Sequence, residues 1–132
     1  KVGRVEDVHS IMRELFEVML LQPDFRLPEL FCGFDKIDAA APINYPVSCS
    51  PQAWASGSIF QLLKVCLNFE PDAARGILRV REPALPDWLD TITLTGLRVG
   101  AASVDVKVTS QAGSTSCQIL RKEGNLRVII EC

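Results

Sequence analysis

Histidine, tyrosine and closely paired cysteines are scarce or absent in this sequence. His9 is the only histidine in 132 residues, and no Cys-x-x-Cys pair occurs among Cys32, Cys49, Cys66, Cys117 and Cys132. Zinc centres draw their ligands mainly from those two residue types, so no metal site or cofactor is expected. His9 stands one position off the apolar stripe of a helix and reads as a partly exposed surface residue. A basic excess is missing too: Lys and Arg number 14 against 16 Asp and Glu, a net charge of −2. Nucleic-acid binding, which needs concentrated positive charge, is therefore not expected. The apolar stretches are interrupted by proline, charge or glutamine before they reach membrane-spanning length. The start, Lys1-Val2-Gly3-Arg4-Val5-Glu6-Asp7, leads into an amphipathic pattern rather than the apolar core of a signal peptide. Together these absences point to a cytoplasmic protein with reduced, mostly buried cysteines. A Cys32–Cys49 disulfide across a loop is the less favoured alternative.

Apolar residues make up 48% of the chain and charged residues 23%, a balance that fits a globular fold rather than a disordered tail. The length suits one domain with a sizeable core. Val5, Val8, Met12, Leu15, Phe16 and Met19 recur at three-and-four spacing, which predicts a helix from about Arg4 to Leu21. Gln22-Pro23-Asp24 ends it, because proline breaks the hydrogen-bond ladder. The chain lacks an initiator Met and enters this helix almost at once, so it reads as trimmed or as a piece of a longer protein. No periodicity follows until Cys49, which leaves a long loop over 22–49. Ser50-Pro51 then signals a helix start, serine as N-cap and proline at the first helical position. That helix runs from Gln52 to about Phe69 and is apolar nearly all round, as expected of a helix packed on several sides.

From Gly76 the pattern changes to strands. Ile77–Val80, Thr91–Thr95, Leu97–Val99, the alternating Val104, Val106 and Val108, then Cys117–Ile119 and Leu126–Ile130 mark them. Breaks at Gly96, Gly100, Gly113 and Glu123-Gly124-Asn125 suit tight hairpins, hence an antiparallel meander. The expected fold is α+β, with a helical portion over 1–75 and a small antiparallel β-sheet tail over 76–132.

Chemistry is concentrated around Leu27-Pro28-Glu29-Leu30. A carboxylate in that apolar frame is costly to bury unless it is paired or used. Tyr45-Pro46-Val47-Ser48-Cys49 and Pro51-Gln52-Ala53-Trp54 follow closely. These segments, with Leu85-Pro86-Asp87-Trp88-Leu89 and Gly96-Leu97-Arg98-Val99-Gly100, resemble the carboxy-terminal end of bacterial glycogen-debranching, amylo-alpha-1,6-glucosidase-like proteins. The resemblance runs from about Arg26 to the end, and it is the combination of motifs that is specific.

The resemblance implies that the two helices are the end of an (α/α)6 barrel, with a small sheet behind them. By motif match Glu29 takes the role of general base in an inverting hydrolysis of alpha-glucosidic bonds. The family's general acid lies much earlier in the full-length protein, and no segment here corresponds to it. Inverting hydrolysis needs two carboxyl groups about 6.5–9.5 Å apart. Asp24, Asp35 and Asp38 are the only acids near Glu29 in sequence, and each reads as a solvated turn residue. Tyr45 and Trp54 are candidates for stacking on a sugar face, although core packing is the expected fate of Trp54. Gln52, near free backbone amides, is a candidate hydroxyl ligand whose simpler role is capping. Trp88 is expected to anchor packing. The implied partner is an alpha-glucan or oligosaccharide, and the chain by itself is expected to be inactive. The alternative is a non-catalytic glucan-binding or self-assembly module, with the apolar excess covered by self-association or by the rest of a helical barrel.

Overall fold

The computed structural model describes residues 4–35, 41–111 and 113–131. The chain divides into two compact units, Asp7–Leu63 and a second formed by 64–132 with 1–6. Among the described residues, no helix is long and apolar enough to cross a membrane.

The first unit is built on two helices, α1 (Val5–Leu20) and α2 (Ala53–Leu67), each continuing slightly into the second. Met12 on the apolar stripe of α1 is fully buried, while Leu15, Phe16 and Met19 are half-buried. The helix tightens at its end, where Leu21 N–H and Gln22 N–H donate to the Val18 and Met19 carbonyls, and a single 3-10 turn, Pro23–Phe25, follows. The core of this unit centres on Leu27, Ala55 and Ile59, with Leu15, Phe16, Val18, Met19, Phe31 and Leu63 packed around them.

Helix α2 starts later and ends earlier than its sequence suggests. Ser50 and Pro51 precede it, and Gln52 N–H is engaged by the Leu27 carbonyl. The N-cap position falls to Gln52, whose carbonyl accepts from Ser56 N–H at 2.9 Å. At the other end Asn68 adopts a left-handed φ of 49°, and Phe69 already belongs to a strand. The expectation of packing on several sides also fails for this helix. Ala55, Ile59, Cys66 and Leu67 are buried, but Trp54 is 62% exposed and Phe60 74% exposed.

The second unit holds two three-stranded sheets rather than the single antiparallel tail expected. One is a true meander of β3 (Thr91–Val99), β4 (Ala102–Gln111) and β5 (Ser114–Glu123). The other places β2 (Ile77–Arg81) between β1 (Phe69–Asp72) and β6 (Arg127–Glu131), with β2 and β6 parallel. Contiguity suggested a β5–β6 hairpin. Instead Gly124, at a φ of +79°, packs against Ala102, and the chain passes to the other sheet with Leu126 buried.

Alternation decides the packing of both sheets. Val104, Val106 and Val108 of β4 and Leu78 and Val80 of β2 turn one face inward, and all join one cluster with Leu67, Phe69, Leu85, Val99 and Leu126. Burying two apolar faces against each other is the stable solution for such strands. Gly96 is a bulge within β3 rather than a hairpin. The register shifts between Leu94 and Leu97, and Asp105 accepts the Gly96 N–H at 2.7 Å.

Candidate functional site

The segment read as a structureless loop is largely zipped onto itself. Gln52 N–H donates to the Leu27 carbonyl (3.0 Å), Glu29 N–H to Cys49 (2.8 Å), Tyr45 N–H to Leu30 (3.4 Å) and Cys32 N–H to Ile43 (2.8 Å). Phe31 and Asn44 form an isolated antiparallel bridge at its centre. Residues 27–32 thus run beside 43–52 as an irregular ribbon. The hydrogen bonds of its backbone go to each other, which is how a segment without periodicity still becomes ordered.

Each motif residue has a local reason for its place. Leu27 and Pro28 are buried, and they anchor the ribbon so that Glu29 emerges half-buried rather than sealed in. Tyr45-Pro46-Val47-Ser48 is a turn closed twice on the Tyr45 carbonyl, by Ser48 N–H at 3.0 Å and Ser48 Oγ at 2.9 Å. Proline at the second position and serine closing the turn suit that geometry.

The Glu29 carboxylate accepts from Cys49 N–H through Oε2 at 3.3 Å. Combined with the Glu29 N–H bond to Cys49, this clasps the two residues together and orients the side chain. Oε1 has no hydrogen-bond partner among the described residues, so it is available to a water or a ligand hydroxyl. Asp24 and Asp35 are exposed and are neither hydrogen-bonded nor ion-paired to Glu29. Asp38 lies outside the described residues. No group of His, Cys, Asp and Glu suited to a metal ion occurs among the described residues.

The other candidate residues lie along the same ribbon. Tyr45 is exposed and its backbone adjoins Leu30, next to Glu29. Gln52 is half-buried; its Oε1 takes the Ala53 N–H at 3.0 Å, a capping contact at the start of α2. Trp54 is exposed in the first turn of α2 and not in the core as expected. The periodicity of α2 could not separate its core face from its open face, because both are apolar. Trp88 is half-buried in the segment after β2.

Cys32, Cys49, Cys66 and Cys117 are all reduced. Only Cys66 is buried, which corrects the expectation of mostly buried thiols; Cys132 lies outside the described residues. Burial pushes the Cys66 thiol up from its ordinary value, since desolvation disfavours the thiolate. No family model, no curated protein sequence and no solved structure matches this chain.

Proposed function

We propose that this chain is the carboxy-terminal part of a cytoplasmic glycoside hydrolase resembling amylo-alpha-1,6-glucosidase, with Glu29 as its general base. The observation supporting this reading is the Glu29 carboxylate: it is oriented by Cys49 N–H through one oxygen, and its other oxygen has no hydrogen-bond partner among the described residues. A general base needs that combination of fixed direction and access to water. Hydrolysis with inversion also needs a protonated carboxyl on the far side of the sugar. No segment of this chain corresponds to the family's general acid, so the isolated chain is expected not to cleave glucan.

Exposed apolar residues of α2 support a partner in the helical portion. Phe60 and Val65 are exposed there, as they would be if the remaining helices of an (α/α)6 barrel covered them in the full-length protein. A non-catalytic glucan-binding module is the second reading, favoured by the clasp between Glu29 and Cys49, which is a structural use of the carboxylate.

Titration of the full chain with panose and a branched maltooligosaccharide tests the proposal, with tryptophan fluorescence and released glucose as readouts. Expected are saturable binding, no glucose release, and binding weakened about tenfold by Trp54→Ala, a loss of roughly 1.4 kcal/mol. Glu29→Gln is expected to weaken binding in the same direction. Glucose release by the isolated chain would sink the claim that it is inactive; absence of binding would sink the glucan assignment.

A further inference from the structure

Among the described residues the two sheets of the second unit end in four edge strands, β1, β6, β3 and β5, and three of them carry devices against pairing with another chain. β1 is four residues long and carries Glu70, Pro71 and Asp72. β3 is bulged at Gly96. β5 shifts register opposite Asp105 and Val106, and it carries Arg121, Lys122 and Glu123 beyond the shift. Prolines, bulges and charge clusters are the usual devices that stop edge strands from associating. β6 has no proline and no bulge, and its two charges, Arg127 and Glu131, stand at its ends rather than in a cluster. Its five residues, Arg127-Val128-Ile129-Ile130-Glu131, hold an unbroken register against β2.

The hydrogen-bond parity of β6 shows which groups its open edge presents. Arg127 N–H donates to the Gly76 carbonyl at 2.8 Å, and the Glu131 carbonyl accepts from Glu82 N–H at 2.6 Å. Odd-numbered residues therefore turn their amides toward β2, and Val128 and Ile130 turn theirs away from it. The side chains follow the same alternation. Val128 and Ile130 lie opposite Leu78 and Val80 on the core side, yet Ile130 is still 37% exposed. Arg127 and Glu131 lie on the other face. Glu131 pairs with Arg81 at 3.2 Å, and Arg81 with Glu70 at 3.6 Å. Arg127 has no ion-pair partner among the described residues.

We propose that β6 is a homodimer interface, pairing antiparallel with β6 of a second copy about a twofold axis at Ile129. In that register Val128 and Ile130 of the second copy exchange both backbone hydrogen bonds, and the outward amides are those the pairing requires. Arg127 falls opposite Glu131 of the second copy, and by symmetry the reverse. The row Glu70, Arg81, Glu131 then continues to Arg127 of the second copy, alternating in sign across the joined sheets. Val128 of the second copy covers the exposed side of Ile130. An isologous contact must be self-complementary, and this sequence is so about its central residue. The inference stands independently of the proposed hydrolase ancestry.

Sedimentation equilibrium of the full chain tests it, with a dimer expected at micromolar concentration. Ile130→Pro removes an outward donor and no hydrogen bond to β2, so it should yield a monomer with unchanged circular dichroism. Arg127→Glu places like charges opposite each other twice and should weaken association by at least about tenfold. Glu131→Arg should do the same, although it also loses the Arg81 pair. An equimolar mixture of the two charge variants should recover a one-to-one heterodimer, because opposite charges again face each other in this register. A monomeric wild-type chain, an Arg127→Glu chain that dimerises as wild type does, or a mixture that stays monomeric would each overturn the proposal.

Discussion

Gln22 follows the first helix with its side-chain Oε1 buried and without a hydrogen-bond partner among the described residues, on a residue only 8% exposed. An unsatisfied buried acceptor costs about 1–3 kcal/mol. Gln22→Met keeps the length and removes the polar group, so we expect stabilisation of about 1 kcal/mol and a higher melting temperature. A lower one would show that the amide nitrogen holds something the oxygen does not. Cys66 offers a pH test. Its thiol is raised by burial, so ionisation is easier in the unfolded chain than in the folded one. Below the ordinary value of 9.0 both states are protonated and the group is silent; as pH climbs above it, the unfolded state gains and stability falls. Cys66→Ala should flatten that alkaline decline, and thiol labelling of the native chain should spare Cys66 near neutral pH while modifying exposed Cys49.

Turns give the clearest predictions among the elements. Gly76 joins β1 to β2 at a φ of +62°, and an added Cβ would stand 2.9 Å from the Asn125 carbonyl oxygen. Gly113, between β4 and β5, has a φ of +79° but meets nothing within 4 Å. Both Gly→Ala changes incur strain of about 1 kcal/mol from the left-handed backbone. Gly76→Ala should cost a further 1–2 kcal/mol, roughly, because backbone rather than a flexible side chain must move. Equal denaturation midpoints for the two variants would contradict this close approach. Glycine position alone could not separate them, nor could it tell the bulge at Gly96 from a hairpin. The strands themselves were legible: β2, β4 and β6 lie where alternation put them. β1 was missed because Phe69 continues the apolar run of α2, and the chain leaves the helix only at Asn68.

At the scale of the whole molecule, the helix-then-sheet order and the α+β class follow from the change of period near Gly76. Pairing partners did not follow. β6 joins β2 because two half-buried sheets share one core, and no local pattern records which distant edge a strand will meet. The ribbon around Glu29 behaved in the same way. Leu27 and Pro28 announced an apolar anchor, but the reciprocal bonds between residues 27–32 and 43–52 are long-range and leave no periodicity behind. The exposure of Trp54 was equally hidden, since apolar residues surround α2 on every side. What the sequence determined by itself is local: element type through the spacing of apolar side chains, turns through proline, serine and glycine, and the motif that makes Glu29 a candidate. Only the tertiary structure decided the parallel β2–β6 pair, the clasp on Glu29 and the open edge of β6. Each arises from groups distant in the chain competing for the same backbone hydrogen bonds and the same apolar cover.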